Sequence, residues 1–391
     1  HLSCQAVRVD VRRHRQDLRY YISLLIAPKL FEVKNYRISR CSETRLWHQL
    51  TIKLLAFVKN PALQKGRLLI DLYENFIQDF EMRMNALSFG EIIVCVTSQM
   101  TDSKDAIAFL EKQEPKVKSN KEAAALFKII KGTIYLQKDK NTEATKRMIE
   151  EVDELLASLD GVTSVHGRFY LLQSELYSTT NETANYYKSA LKFLGCTDMT
   201  SLSAESQRTH AKNLILAALT GEGIFNFGEL LAHPILASLD NTEDQWYFAV
   251  LKAFNKGDIK EFESYHYRWK TCQLLMDHQE LLREKITLLC LMEMTFQRVA
   301  TERQLSFTEI SEAAKIEENQ VEIYIMKAIA KGLIKGAIDE VGRKVHMTWV
   351  LPRVLNRQQI GGMISRLDSW KKEIKQVEML MEDNADDILL Q

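Results

Sequence analysis

Nine histidines, six cysteines and 52 acidic side chains are the groups in this 391-residue chain that could ligate a metal or move a proton. Metal-assisted hydrolysis needs ligands held on one face, as HExxH holds them, and neither that motif nor an HxH pair occurs. The histidines stand alone: His166 and His233 fall at helix starts or turns, and His346 alternates with Val345 and Met347 as a strand residue would. The cysteines, at positions 4, 41, 95, 196, 272 and 290, form no CxxC pair. That suggests neither a zinc site nor a disulfide framework, and the expected reading is buried, reduced thiols of a cytosolic or nuclear protein. There is no GxSxG elbow, and carboxylate pairs such as Glu150-Glu151 lie on solvated helix faces rather than across a cleft. The glycine cluster Gly221–Gly228 fits neither GxGxxG nor GxxxxGK[ST], and no lysine follows it. It reads as a turn that ends a helix, with Phe225 and Phe227 anchoring it in the core. No catalytic, metal-binding or cofactor-binding residue is expected.

The elements that would have to position such groups are mostly helical. Glycine (15) and proline (5) are scarce, which favours long uninterrupted helices. From Leu46 to about Lys270 amphipathic stretches alternate with short polar breaks such as Asn141-Thr142 and Gly257-Asp258, which supply N-cap and C′ residues. Glu122–Leu136 places Leu126, Ile129, Ile130, Thr133 and Ile134 on one face; Arg147–Leu159 does so with Met148, Val152, Leu155, Leu156 and Leu159. Helix pairs of roughly 40 residues fit an irregular, TPR-like solenoid. A single compact bundle is the competing arrangement. No apolar run approaches the length that spans a bilayer.

After Gln279 the pattern changes. A long apolar helix, Leu281–Phe296, precedes a short strand at Gln304–Phe307, and Ser306-Phe307-Thr308-Glu309 is a capping box. A helix near Glu318–Lys331 turns Val321, Ile325, Ala328 and Ile329 inward and stops at Gly332. Two extended runs, Ile334–Asp339 and Lys344–Val350, are joined by a hairpin-like turn at Glu340–Arg343. That order is a winged helix. DNA reading is disfavoured, because the recognition-helix position opens with Glu317, Glu318 and Glu322, and the wing offers only Arg343 and Lys344. Basic and acidic residues are equal at 52 each, so no excess charge calls for nucleic acid.

The C-terminal segment carries the clearest periodicity. Ile360, Met363, Leu367, Trp370, Ile374, Val377 and Met381 are spaced 3, 4, 3, 4, 3, 4, an a/d seam, and Ile388 returns to phase after the polar Asn384. A strict 3.5-residue seam points to a bundle or coiled coil with helices of other chains; packing onto the chain's own body is the alternative.

Leu46–Thr51, Leu72–Ile77, Gly161–His166, Arg168–Tyr170, Tyr186–Lys188, Phe193–Cys196, Gly221–Pro234, Leu289–Phe296 and Val345–Val350 are word-like stretches. Together they resemble the PCI-domain subunits of the proteasome regulatory particle lid, a class shared with the signalosome and a translation initiation factor. The resemblance implies a helical-repeat arm over residues 45–278, a winged-helix part at 279–351 and a bundling helix at 352–391. It implies a non-catalytic scaffold needed for lid assembly and ubiquitin-dependent degradation, in cytoplasm and nucleus, without nucleic acid or membrane; a PCI subunit of the signalosome or of an initiation-factor complex, or a nucleic-acid-binding winged-helix protein, is the alternative. Lid subunits would join through winged-helix edges, here the wing strand Val345, His346, Met347, Thr348 and Trp349, and through the helix seam. The arm would reach other regulatory subunits, near the ubiquitin receptor. Residues 1–44 are Arg-rich and do not resemble the family's start; an upstream exon or gene-model error is expected there, and no function is assigned.

Overall fold

The computed structural model describes residues 47–60, 66–118, 120–159, 161–199, 202–240, 242–270, 272–298, 303–354 and 357–389. The segment 1–44 lies outside them. The chain is mostly helical, with one three-stranded sheet, and its contacts divide it into two compact units.

The first unit takes in the described residues up to 181 and residues 192–197. Its helices run in succession: Trp47–Val58, Leu68–Asn75, Ala86–Gln99, Ser103–Val117, Lys121–Gln137, Thr142–Ala157 and Ser164–Thr179. The polar breaks between them do the work their residue types predict. The Asn120 side chain accepts from the Glu122 and Ala123 amides at 2.9 and 3.2 Å, and Asn141 accepts from Ala144 at 3.1 Å. His166 closes a capping box with Thr163, its Nδ1 accepting the Thr163 amide at 3.0 Å. Lys121–Gln137 is the unit's central helix. Ala123, Ala125, Leu126, Phe127, Ile129, Ile130, Ile134 and Leu136 are all buried, so it is covered on most sides rather than on the one face its periodicity suggests.

The second unit takes in residues 182–191 and 198–391. Its spine is the helix Gln279–Gln297, which buries Leu282, Ile286, Leu289, Met292 and Thr295. Residues 245–256 pack on it, and the approach is close at one point. Gly257 ends that helix at φ +67°, where a Cβ would stand 2.7 Å from Cys290 Cα and 2.8 Å from Cys290 N, so only glycine fits.

The winged helix follows. Strand β1 (Gln304–Ser306) leads into the helix Phe307–Ala314 through the expected capping box. The Glu309 amide donates to Ser306 Oγ at 3.3 Å, and the Ser306 amide donates to Glu309 Oε2 at 3.2 Å. That backbone bond holds the Glu309 carboxyl below its ordinary range. Glu318–Ala330 comes next, started by Glu317 with no side-chain cap, and Val321, Ile325 and Ala328 are buried. Glu284 accepts from Lys331 at 2.8 Å and from Lys327 at 2.9 Å, which ties this helix to the spine and lowers the Glu284 pKa. Strands β2 (Ile334–Asp339) and β3 (Lys344–Val350) form the wing. The non-glycine residue Arg343, at φ +46°, takes the left-handed position of their turn, and the Gly342 amide donates to Asp339 Oδ1 at 2.9 Å.

The sheet order is β1-β3-β2, with both pairings antiparallel. The wing strand is therefore the central strand, which corrects its reading as an exposed edge. On one side β2 pairs along the strand; on the other β1 pairs with Lys344–His346 and the Met347 amide donates to Arg303 O at 2.9 Å, so little of its backbone is left to add a neighbour's strand.

Candidate interaction surface

The C-terminal helix Arg357–Leu389 is 33 residues long, about 50 Å at 1.5 Å per residue. A short strap, Leu351–Val354, precedes it after β3. The Leu351 amide donates to Leu333 O at 2.8 Å. Arg353 Nη1 donates to Asn255 O at 3.1 Å, and Nη2 pairs with the Glu293 carboxylate on the spine. The side chains of this ion pair are only 10% and 16% exposed. Val354 lies so close over Gly228 that a Cβ there would meet Val354 Cβ at 2.2 Å. The strap is thus held at four successive points before the helix departs.

Every side chain from Ile360 to Glu382 is exposed. The seven seam residues, Ile360, Met363, Leu367, Trp370, Ile374, Val377 and Met381, are between 45% and 67% exposed. Ile364 and Leu380, at the neighbouring e and g positions, are exposed too and widen the stripe. Near its start, Gly362, Met363 and Arg366 share a shallow recess with Glu293, Phe296 and Gln297. The seam positions thus form an exposed apolar stripe along the described part of the helix. The side chains of Asn384 and Ile388 lie outside the described residues.

On the wing, Val345 and Met347 are buried in the sheet's inner face, whereas His346 and Thr348 are exposed. Trp349 is half-buried, with Lys335 Nζ 5.1 Å above its ring. The wing strand therefore offers a neighbour mainly the side chains of His346, Thr348 and Trp349. Strand β2 has no second strand partner among the described residues, so the long sheet edge is Ile334–Asp339. Arg343 Nη1 lies 3.3 Å from Glu318 Oε1, which neutralises one of the wing's two basic residues against the helix that would face DNA.

One buried ion was not foreseen. Lys285, on the spine, is 4% exposed. Its Nζ donates to the carbonyls of Ala218, Leu219 and Gly221 at 2.7, 3.1 and 2.8 Å. These belong to the end of the helix Ala204–Thr220, where carbonyls lack helical partners and the dipole is negative. Phe225 and Phe227, both buried, lie with ring centroids 5.8 and 5.4 Å from the same nitrogen. Burial, with Lys331 adding to it, pulls the Lys285 pKa down to about 7. The glycine turn thus ends a helix as expected, and it receives a cation through carbonyls where a phosphate loop would present amides. A sequence signal existed: Lys285 sits on the apolar stripe Leu282, Ile286, Leu289.

Among the described residues, no three His, Cys, Asp or Glu side chains gather as a metal site, and no helix is long and apolar enough to cross a membrane. Of the four described cysteines only Cys290 is buried; Cys196 is exposed, and Cys95 and Cys272 are intermediate, which corrects the expectation of uniformly buried thiols.

The family profile described as PSD13 N-terminal repeats matches residues 35–251, and the PCI domain profile matches residues 262–349. The 26S proteasome non-ATPase regulatory subunit 13 of Dictyostelium discoideum is 33% identical over 371 residues, covering 93% of this chain and 96% of that protein. Homolog B of the same subunit in Arabidopsis thaliana is 35% identical, covering 89% and 92%. The 26S proteasome regulatory subunit RPN9 of Saccharomyces cerevisiae is 30% identical, covering 88% and 91%.

Proposed function

The chain belongs to the family of the 26S proteasome non-ATPase regulatory subunit 13, and from that premise we propose that it is a non-catalytic scaffold of the regulatory particle lid. The observation that carries the proposal is the bare seam from Ile360 to Met381 on a helix whose root is pinned by Arg353. Apolar surface of that extent is stabilised by burial, and a 3.5-residue repeat is satisfied by helices packed alongside. In this reading the C-terminal helix enters a bundle with helices of other lid subunits, and the edge of β2 takes the sheet contact. His346, Thr348 and Trp349 contribute side chains beside that contact. The helical arm is then left to meet further regulatory subunits, the ubiquitin receptor among them. The chain serves ubiquitin-dependent degradation in cytoplasm and nucleus by holding the assembly, while the chemistry is done by other subunits.

The test is reconstitution of the lid with the full chain carrying Leu367→Glu and Ile374→Glu. Both side chains are already exposed, so the fold of the free chain should survive, as circular dichroism would check. Loss of the chain from the lid is the expected result. Normal incorporation would remove the seam from the interface.

A further inference from the structure

The same seam has a partner available before any other subunit arrives, namely a second copy of this chain. With Ile360 as position a, the g positions are Arg366, Glu373 and Leu380, and the e positions are Ile364, Lys371 and Glu378. In a parallel pair each g residue faces the e residue five places on in its partner. Arg366 would then face Lys371, and Glu373 would face Glu378, with both repulsions occurring twice by symmetry. Along the whole helix the same mismatch holds. Residues 357–375 carry five basic and two acidic side chains, and residues 376–391 carry five acidic and none basic, so parallel alignment sets like charge on like.

Antiparallel pairing reverses this. When Leu367 packs against Trp370 of the other copy, Met363 packs against Ile374 and Ile360 against Val377, giving six continuous apolar layers. The flanking g positions then bring Arg366 against Glu373 twice, and the aliphatic stem of Lys371 lies over Ile364. Sliding one heptad along would put Glu373 against Glu373 and Lys371 against Lys371, so the charges select this register as well as this direction. We propose that the free chain forms an antiparallel homodimer through residues 360–377 of its C-terminal helix, in the register that pairs Arg366 with Glu373. This goes beyond the lid reading and does not depend on it. If both hold, lid helices compete with the second copy for one seam.

The experiment is sedimentation equilibrium of the full chain at low salt, from nanomolar to tens of micromolar, with three variants. Wild type is expected to dimerise, and Leu367→Glu to remain monomeric with unchanged helicity. Arg366→Glu turns two attractions into repulsions and should weaken the dimer by roughly tenfold, as should Glu373→Arg. The double exchange Arg366→Glu/Glu373→Arg should restore it. A wild-type chain that stays monomeric throughout would overturn the proposal. So would an Arg366→Glu dimer tighter than wild type, since only a parallel pair sets that position against Lys371. Neither outcome bears on whether the chain enters the lid.

Discussion

Replacing Arg353 by Met keeps the aliphatic stem and removes the donors that bind Asn255 O and Glu293. Because the two charged side chains are 10% and 16% exposed, the pair is close to the buried limit. Breaking a buried pair from one side costs about 3–5 kcal/mol, and the residual exposure brings this down to about 2–4 kcal/mol. Much of that cost is the Glu293 carboxylate left without its cation. The loss should be local, because Arg353 ties the strap to the spine and to the helix 245–256. Amide hydrogen exchange read by mass spectrometry over Lys344–Val354 should therefore speed up by about 30-fold or more, with little change in Lys121–Gln137 of the other unit. Adding Glu293→Gln to Arg353→Met should recover part of the loss, since no unpaired charge remains. A change below about 0.5 kcal/mol, or a loss that Glu293→Gln leaves untouched, would refute the assignment of the strap's anchor to this pair.

Lys285 makes stability depend on pH in a direction that can be worked out. Its folded pKa is about 7, below the ordinary lysine value of the unfolded chain, so above neutrality the unfolded state holds a proton that the folded state gives up. Its contribution therefore rises as pH increases through 7, by at most about 1.4 kcal/mol per pH unit. The stability of wild type minus that of Lys285→Met should move in favour of wild type between about pH 6.5 and 8.5, read by urea unfolding; a flat difference would place the ammonium in water. Gly257→Ala combines a left-handed φ with a Cβ 2.7 Å from the Cys290 backbone and should destabilise the second unit by about 2–4 kcal/mol in the same assay. Duplex DNA should not bind even at low salt, because Arg343 is occupied by Glu318 and the helix behind it opens on carboxylates. Salt-sensitive binding that drops with Arg343→Ala and Lys344→Ala would contradict this.

What could be read in the sequence was what is local or periodic. The Ser306–Glu309 capping box, the strands Ile334–Asp339 and Lys344–Val350 and the helix stop at Gly332 all form from residues a few places apart. The seam was legible for the same reason, since a 3, 4 spacing survives whatever lies around it. What escaped depends on contacts distant in sequence. β3 looked like an outer wing strand because its neighbour β2 precedes it directly, whereas the pairing that makes it central comes from Gln304–Ser306, some 40 residues earlier. Lys285 reaches carbonyls more than 60 residues away, and Arg353 reaches Asn255 and Glu293 across similar separations. Neither pairing leaves a mark in local pattern, although a lone lysine on the buried stripe of an apolar helix was the one hint available.

The central claim is that this chain joins the lid through its C-terminal helix. Native mass spectrometry of the lid reconstituted from its subunits, with either the full chain or a chain ending before residue 357, tests it most directly. The account predicts that the full chain is incorporated at one copy per lid and that the shortened chain stays free while its two compact units remain folded. Incorporation of both forms would show that the seam is not the means of entry, and exclusion of both would contradict the assignment to the lid itself.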